Sequence, residues 1–201
     1  MMMNGFTSLK RSLPWVVGVS AWITVMPAAQ ADPRPELQSV STLDLPRYQG
    51  RWYQIAYYPN RFQKQCVSNT TADYKLLEGG TLEVVNQCRT ADGTVSKAVA
   101  EGRVQQPRFL TVPTSKPPTL AKLEVRFAPG WLSWLPWVWA DYWVIQLADD
   151  YRYVVVGEPH REYLWILART PTLDPQDRDR INARLLQQAY DPTALVDETH
   201  P

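Results

Sequence analysis

Eight short runs rich in Val, Ile, Tyr, Trp and Thr, at roughly 52–58, 69–77, 81–88, 95–104, 119–127, 141–148, 151–157 and 162–169, are separated by turn signals. Runs of this length and composition are predicted strands. The clearest turn, Leu77 to Gly80 (LEGG), lies between two alternating runs and reads as a hairpin. A second tight connection falls at Asp149-Asp150. Residues 105–118 (QQPRFLTVPTSKPP) hold too many prolines for a central strand and form a longer link. No helical pattern separates the runs. The predicted fold is therefore all-β, an eight-stranded antiparallel up-and-down barrel, whose closure leaves no open edge.

One helix follows the strands. Asp174 is placed to cap it and Pro175 to open it. Asp177 and Asp179 suit the positive end of its dipole. Ile181, Leu185 and Ala189 recur every four residues and form one apolar stripe, and Pro192 follows its end. A helix with one narrow apolar face packs on the outside of a barrel.

The first 31 residues have the composition of a cleaved signal peptide: basic Lys10 and Arg11, an apolar run from Leu13 to Met26, and small residues at Ala29 and Ala31. Residues 32–42 are a polar, Pro-containing lead-in, and 43–201 form the domain. No Cys lies near the expected cut. The expected product is exported, periplasmic or secreted, soluble and not lipid-anchored. A formal charge of +1 gives no reason to expect nucleic acid. The two cysteines, Cys66 and Cys88, form an even pair that export favours as a disulfide. A simple hairpin register sets Cys88 opposite residue 69, so the bridge requires a bulge or bend near Asn69. With His160 and His200 as the only histidines, and no Cys or carboxylate clustered with either at metal-ligand spacing, no metal and no cofactor are expected.

Three motifs stand in order on these strands. Gly50-Arg51-Trp52-Tyr53 opens the first, Asp150-Tyr151 turns the sixth into the seventh, and Arg169 ends the eighth. Together they resemble the lipocalin family, in the branch of bacterial outer-membrane lipocalins, plant temperature-induced lipocalins and apolipoprotein D. The resemblance runs over roughly residues 43–196, with Asp149 standing where Thr is usual. It implies that Arg169 lies across Trp52 to close the base of the barrel. It further implies carriage of a small hydrophobic ligand, a fatty acid or lysophospholipid, with Trp165 and Trp139 as contacts.

Alternation along each strand selects the inward side chains. Counting from Trp52 gives Gln54, Ala56 and Tyr58; counting back from Arg169 gives Leu167, Trp165 and Tyr163. The third strand offers Leu82, Val84 and Asn86, the sixth Tyr142, Val144 and Gln146, and the seventh Tyr153 and Val155. Ala56, Ala72, Ala98, Ala100 and Gly102 leave room for ligand. The expected ligand-contact set is Trp165, Trp139, Tyr142, Asn86, Gln54, Ala56, Tyr58, Gln146 and Tyr153.

Five of the nine tryptophans fall between Gly130 and Trp143. Pro136 and Asp141 interrupt this stretch, which is too short to span a bilayer. It reads as the loop before the sixth strand, at the open mouth. Trp131, Trp134 and Trp137 are expected to cap the rim, touch a membrane surface or join two mouths in a homodimer. No nucleophile–base pair accompanies the cup, so an enzyme is not expected. The competing readings are a lipid isomerase on the same barrel and a pigment or haem binder.

Overall fold

The computed structural model describes residues 34–105, 120–128, 135 and 138–201. The signal-like segment, the Pro-rich link and Trp131, Trp134 and Trp137 lie outside the described residues.

A short helix α1 (Leu45–Tyr48) precedes the strands and is capped by the Asp44 carboxylate, which accepts from the Arg47 N–H. The strands are β1 (Gly50–Tyr57), β2 (Cys66–Leu76), β3 (Leu82–Thr90), β4 (Val95–Val104), β5 (Lys122–Arg126), β6 (Ala140–Leu147), β7 (Tyr153–Gly157) and β8 (Leu164–Ala168). Helix α2 (Pro175–Gln187) and a short strand β9 (Val196–Asp197) complete the chain. Each of β1 to β8 pairs antiparallel with the next, and β8 pairs with β1, so the barrel closes. All eight expected strands form, with ends shifted by a few residues. α1 and β9 are too short to carry a periodic pattern that the sequence would show.

Burial falls into two layers. The interior holds Trp52, Tyr74, Leu82, Val84, Ala100, Leu123, Val144, Val154, Val156 and Leu167. A second layer, Ile55, Ala56, Ile145, Val155, Leu164 and Ile166, packs against Ile181 and Leu185 of α2. The helix therefore lies outside the barrel, as its single stripe requires. Ala189 is not part of that stripe. It follows the helix with φ 58° and is exposed, and Tyr190 is buried in its place.

Two bulges correct the inward assignments. The β1–β8 register slips between Gln54 and Ala56, and the β6–β7 register between Val144 and Gln146. An extra residue in one strand reverses the facing of everything beyond it. Ala56 and Tyr58 accordingly join the layer beneath α2. The Tyr58 hydroxyl there bonds the backbone of Asp191. Gln146 likewise faces the helix and donates to the Ile181 carbonyl at 3.2 Å. On β7 the parity itself is reversed: Val154 and Val156 face the interior, and Tyr153 and Val155 face α2.

The bend expected near Asn69 is present. β2 shifts register between Cys66 and Ser68 and again before Thr71, and Asn69 has φ 56°. Cys66 and Cys88 are disulfide-bonded, with Cα atoms 5.5 Å apart. The bridge closes a loop of sequence separation 22. The Cys66→Ser/Cys88→Ser variant is expected to lose about 3 kcal/mol of stability by the chain-entropy model, read as a lower urea midpoint.

Candidate functional site

The closed end of the barrel is built from the three motif segments. Trp52 is fully buried and donates its indole N–H to the Tyr48 carbonyl at 2.8 Å. The Arg169 guanidinium lies 3.7 Å above the Trp52 ring and donates to the carbonyls of Arg51, Arg47 and Tyr48 at 2.9, 2.7 and 3.3 Å. Gly50 has φ 88°, which L side chains rarely adopt, and its position brings the chain under Arg169. The Tyr151 hydroxyl accepts the Asp44 N–H at 2.9 Å, and Arg47 stacks on its ring at 4.0 Å. The motif residues thus seal the base and hold α1 across it.

Above the base lies a cavity of about 460 Å³. Its walls are apolar along Ala72, Val84, Ala100, Val125 and Leu167. An aromatic ladder enters it from the rim: Phe62 and Tyr163 at 5.6 Å between centroids, then Tyr163 stacked on Trp165 at 5.9 Å. Near the mouth one wall is polar. The Gln63 carbonyl oxygen accepts from the Trp165 indole at 2.9 Å, and its amide donates to Gln54 at 2.8 Å. Gln54 donates in turn to the Glu198 carboxylate at 2.8 Å, which also accepts from the Thr70 backbone and hydroxyl. Glu198 reaches this wall because β9 pairs with β1 and the tail continues past it, where the Asn69 N–H donates to the Thr199 carbonyl at 2.9 Å. At the rim stand Arg61 and the exposed rings of Phe62 and Phe127.

Of the expected contact set, Trp165, Tyr142, Asn86 and Gln54 line this cavity. Ala56, Tyr58, Gln146 and Tyr153 do not; they lie under α2 for the reasons given above. Among the small residues, Ala72 and Ala100 line the cavity, Ala98 is exposed and Gly102 packs against Leu82. Trp139 is also placed elsewhere. Its ring packs against the guanidiniums of Arg103 and Arg126, at 3.7 and 5.1 Å. These arginines pair with Glu124 and Glu101. The parity that turns Tyr142 inward turns Trp139 outward and gives the cavity Val138 instead. Trp139→Ala is expected to lower stability by about 1–3 kcal/mol, through lost stacking and packing, and to change ligand affinity less than about twofold. Parallel melting and binding titrations check this.

Arg61, Phe62, Gln63, Thr70, Tyr74, Phe127 and Glu198 escape the sequence reading. Thr70 and Tyr74 share the parity of Ala72, so alternation alone could have found them. Glu198 lies 128 residues from Thr70 in the chain, and no local pattern pairs them.

A barrel closed at one end and open at the other, with a mostly apolar interior, defines a cup for a small molecule. Residues 43–200 match the lipocalin-like domain family, and the chain belongs to it. It is 34% identical to temperature-induced lipocalin-1 of Arabidopsis thaliana over 163 residues, covering 81% of this chain and 82% of that one. It is 31% identical to the outer membrane lipoprotein Blc of Escherichia coli, covering 92% and 96%. Against apolipoprotein D of Mus musculus the identity is 35%, covering 72% and 69%. Among solved structures, insecticyanin from the tobacco hornworm Manduca sexta superposes with a TM-score of 0.62 at 19% identity, covering 84% of this chain and 86% of that one. Apocrustacyanin C2 superposes at 0.57 and 16%, covering 77% and 78%. These last two share the fold.

Proposed function

We propose that the protein binds and carries a fatty acid or lysophospholipid, and that it does so outside the cytoplasm in the maintenance of membrane lipid. The observation that carries this is the cavity: apolar walls, an aromatic ladder leading in, and polar groups gathered at its mouth. An acyl chain gains about 0.8 kcal/mol per buried methylene along such walls. The polar head stays at the rim, where Gln54, Gln63 and Asn86 offer amides and Arg61 a cation. Lipocalin relatives bind small hydrophobic ligands, which supports the same reading.

Phe62 and Phe127 are each 54% exposed at the rim. Exposed aromatic rings beside a cation favour a bilayer interface, where the lipid would be taken up or released.

The test is native mass spectrometry of the protein purified without detergent, followed by tryptophan quenching as fatty acids and lysophospholipids of graded length are added. A one-to-one lipid adduct and saturable quenching are expected. Purified protein with no bound lipid and no quenching at any chain length would rule the reading out.

A further inference from the structure

The C-terminal tail is joined to the ligand cavity by one line of hydrogen bonds. The register of β1 on β2 runs from Gly50–Tyr74 to Tyr53–Thr71. Above it the tail bridges the two strands. β9 pairs with Ala56 and Tyr57 of β1, the Glu198 N–H donates to the Ile55 carbonyl at 2.9 Å, and the Asn69 N–H donates to the Thr199 carbonyl at 2.9 Å. From this seam the Glu198 carboxylate meets Gln54, Gln54 meets Gln63, and Gln63 meets the Trp165 indole. Gln54, Gln63 and Trp165 all line the cavity, and Glu198 stands behind them.

The direction of this line is fixed at both ends. An indole N–H only donates, so Gln63 turns its oxygen to Trp165, at 2.9 Å. The same oxygen accepts from the Asn60 amide at 2.9 Å. Asn60 is itself held one way round, because its oxygen accepts the Phe62 N–H at 3.0 Å. The Gln63 nitrogen therefore faces Gln54 and donates to its oxygen at 2.8 Å. The Gln54 nitrogen is left to donate, and the Glu198 carboxylate accepts at 2.8 Å. On its other oxygen Glu198 takes the Thr70 backbone N–H and hydroxyl, at 3.2 and 3.1 Å. The Thr70 N–H and the Gln54 amide are thus two donors that cannot turn round, one on each oxygen. A glutamine at this position has a single oxygen and sets an N–H against one of them. Bonds in such a line polarise one another, and a charged acceptor at its end strengthens it.

We infer that Glu198 is a positioning residue of the ligand site, acting through Gln54 and Gln63 to hold the Trp165 ring as a wall of the cavity. This rests on the reading of the cavity as an acyl-chain site. Trp165 is stacked on Tyr163, 7° from parallel. An indole N–H that loses its acceptor is costly to keep out of water, so the ring turns to expose it and the stack opens. Lipid affinity thereby depends on a tail carboxylate that does not line the cavity.

The experiment follows the indole N–H resonances of Trp165 and Trp52 in the ¹⁵N-labelled protein and titrates saturated fatty acids in parallel. Trp165→Phe assigns the first signal. Trp52, bonded to the Tyr48 carbonyl at the closed end, is the internal control. In Glu198→Gln the Trp165 proton signal is expected to move upfield while that of Trp52 stays, and affinity is expected to fall about five-fold. Gln63→Leu is expected to lower affinity at least as much. Adding Glu198→Gln to Gln63→Leu is expected to change affinity by less than about two-fold, because the line is already broken. Asp197→Asn removes the neighbouring tail carboxylate, which pairs with Arg178 at 2.8 Å, and is expected to change neither the Trp165 signal nor affinity. An unmoved Trp165 signal in Glu198→Gln, equal losses with and without Gln63, or the same loss in Asp197→Asn would overturn the proposal and leave the carrier reading standing. A Trp52 signal that moves as well would make Glu198 a support of the whole fold and overturn it too. Native protein that binds no fatty acid at any length would overturn both readings.

Discussion

Ala72→Phe/Ala100→Phe is expected to weaken fatty-acid binding by at least about a hundred-fold while the barrel remains folded. Both alanines line the cavity and both are nearly buried, at 8% and 4% exposure. Two rings set into a space of about 460 Å³ exclude the ligand from a large part of it. Denying burial to four methylenes removes about 3 kcal/mol of binding free energy, which is roughly a hundred-fold in affinity. The rings enter empty volume, so the overpacking cost of about 1–3 kcal/mol known for filled cores is an upper limit here. Quenching titrations give the affinity, and circular dichroism with thermal melting reports the fold. Unchanged affinity in a folded variant would place the lipid outside the barrel.

Trp52→Ala is expected to cost about 4 kcal/mol of stability, the largest single-residue loss in the molecule. The indole is fully buried, packs on Tyr48 at 5.2 Å between centroids and bonds the Tyr48 carbonyl. Its removal also leaves the Arg169 guanidinium without the ring beneath it. A double-mutant cycle with Arg169→Ala isolates that contact. The coupling is expected at about 1–2 kcal/mol, within the range for a partly desolvated cation over indole. Urea unfolding of the four proteins measures it. Additivity within about 0.3 kcal/mol would mean that Arg169 acts through its three carbonyl bonds alone.

The segments that build the base were legible because each is marked locally, while their meeting through Arg169 and Trp52 followed from the resemblance to the lipocalin family. Gly50 requires a positive φ, Trp52 follows two residues later, and Asp150-Tyr151 forms a tight turn. Helix α2 is equally local: its cap at Asp174, Pro175 and buried Ile181 and Leu185 all follow from short-range patterns. The cavity was legible in half. Gln54, Asn86, Tyr142 and Trp165 follow from alternation counted over a few residues. Ala56, Tyr58 and Gln146 fail because the count crosses a bulge. Tyr153 fails because counting on β7 starts one residue out of phase.

The chain by itself determined the eight barrel strands and the external helix, and the even cysteine count of a chain expected to be exported paired Cys66 with Cys88, whereas the closure of Arg169 over Trp52 followed from the resemblance to the lipocalin family. The strands and the helix rest on a period or a turn that acts over neighbouring positions. Only the tertiary structure decided which way the far half of β1 and the end of β6 face. A bulge is fixed by the strand alongside, and one extra residue reverses a period of two. The tertiary structure also decided that Glu198 completes the wall at Gln54, that Trp139 packs against two arginines outside the cup, and that three tyrosines from α1, β2 and β6 meet at its closed end. Those groups are distant in sequence, and closure of the barrel is what brings them together.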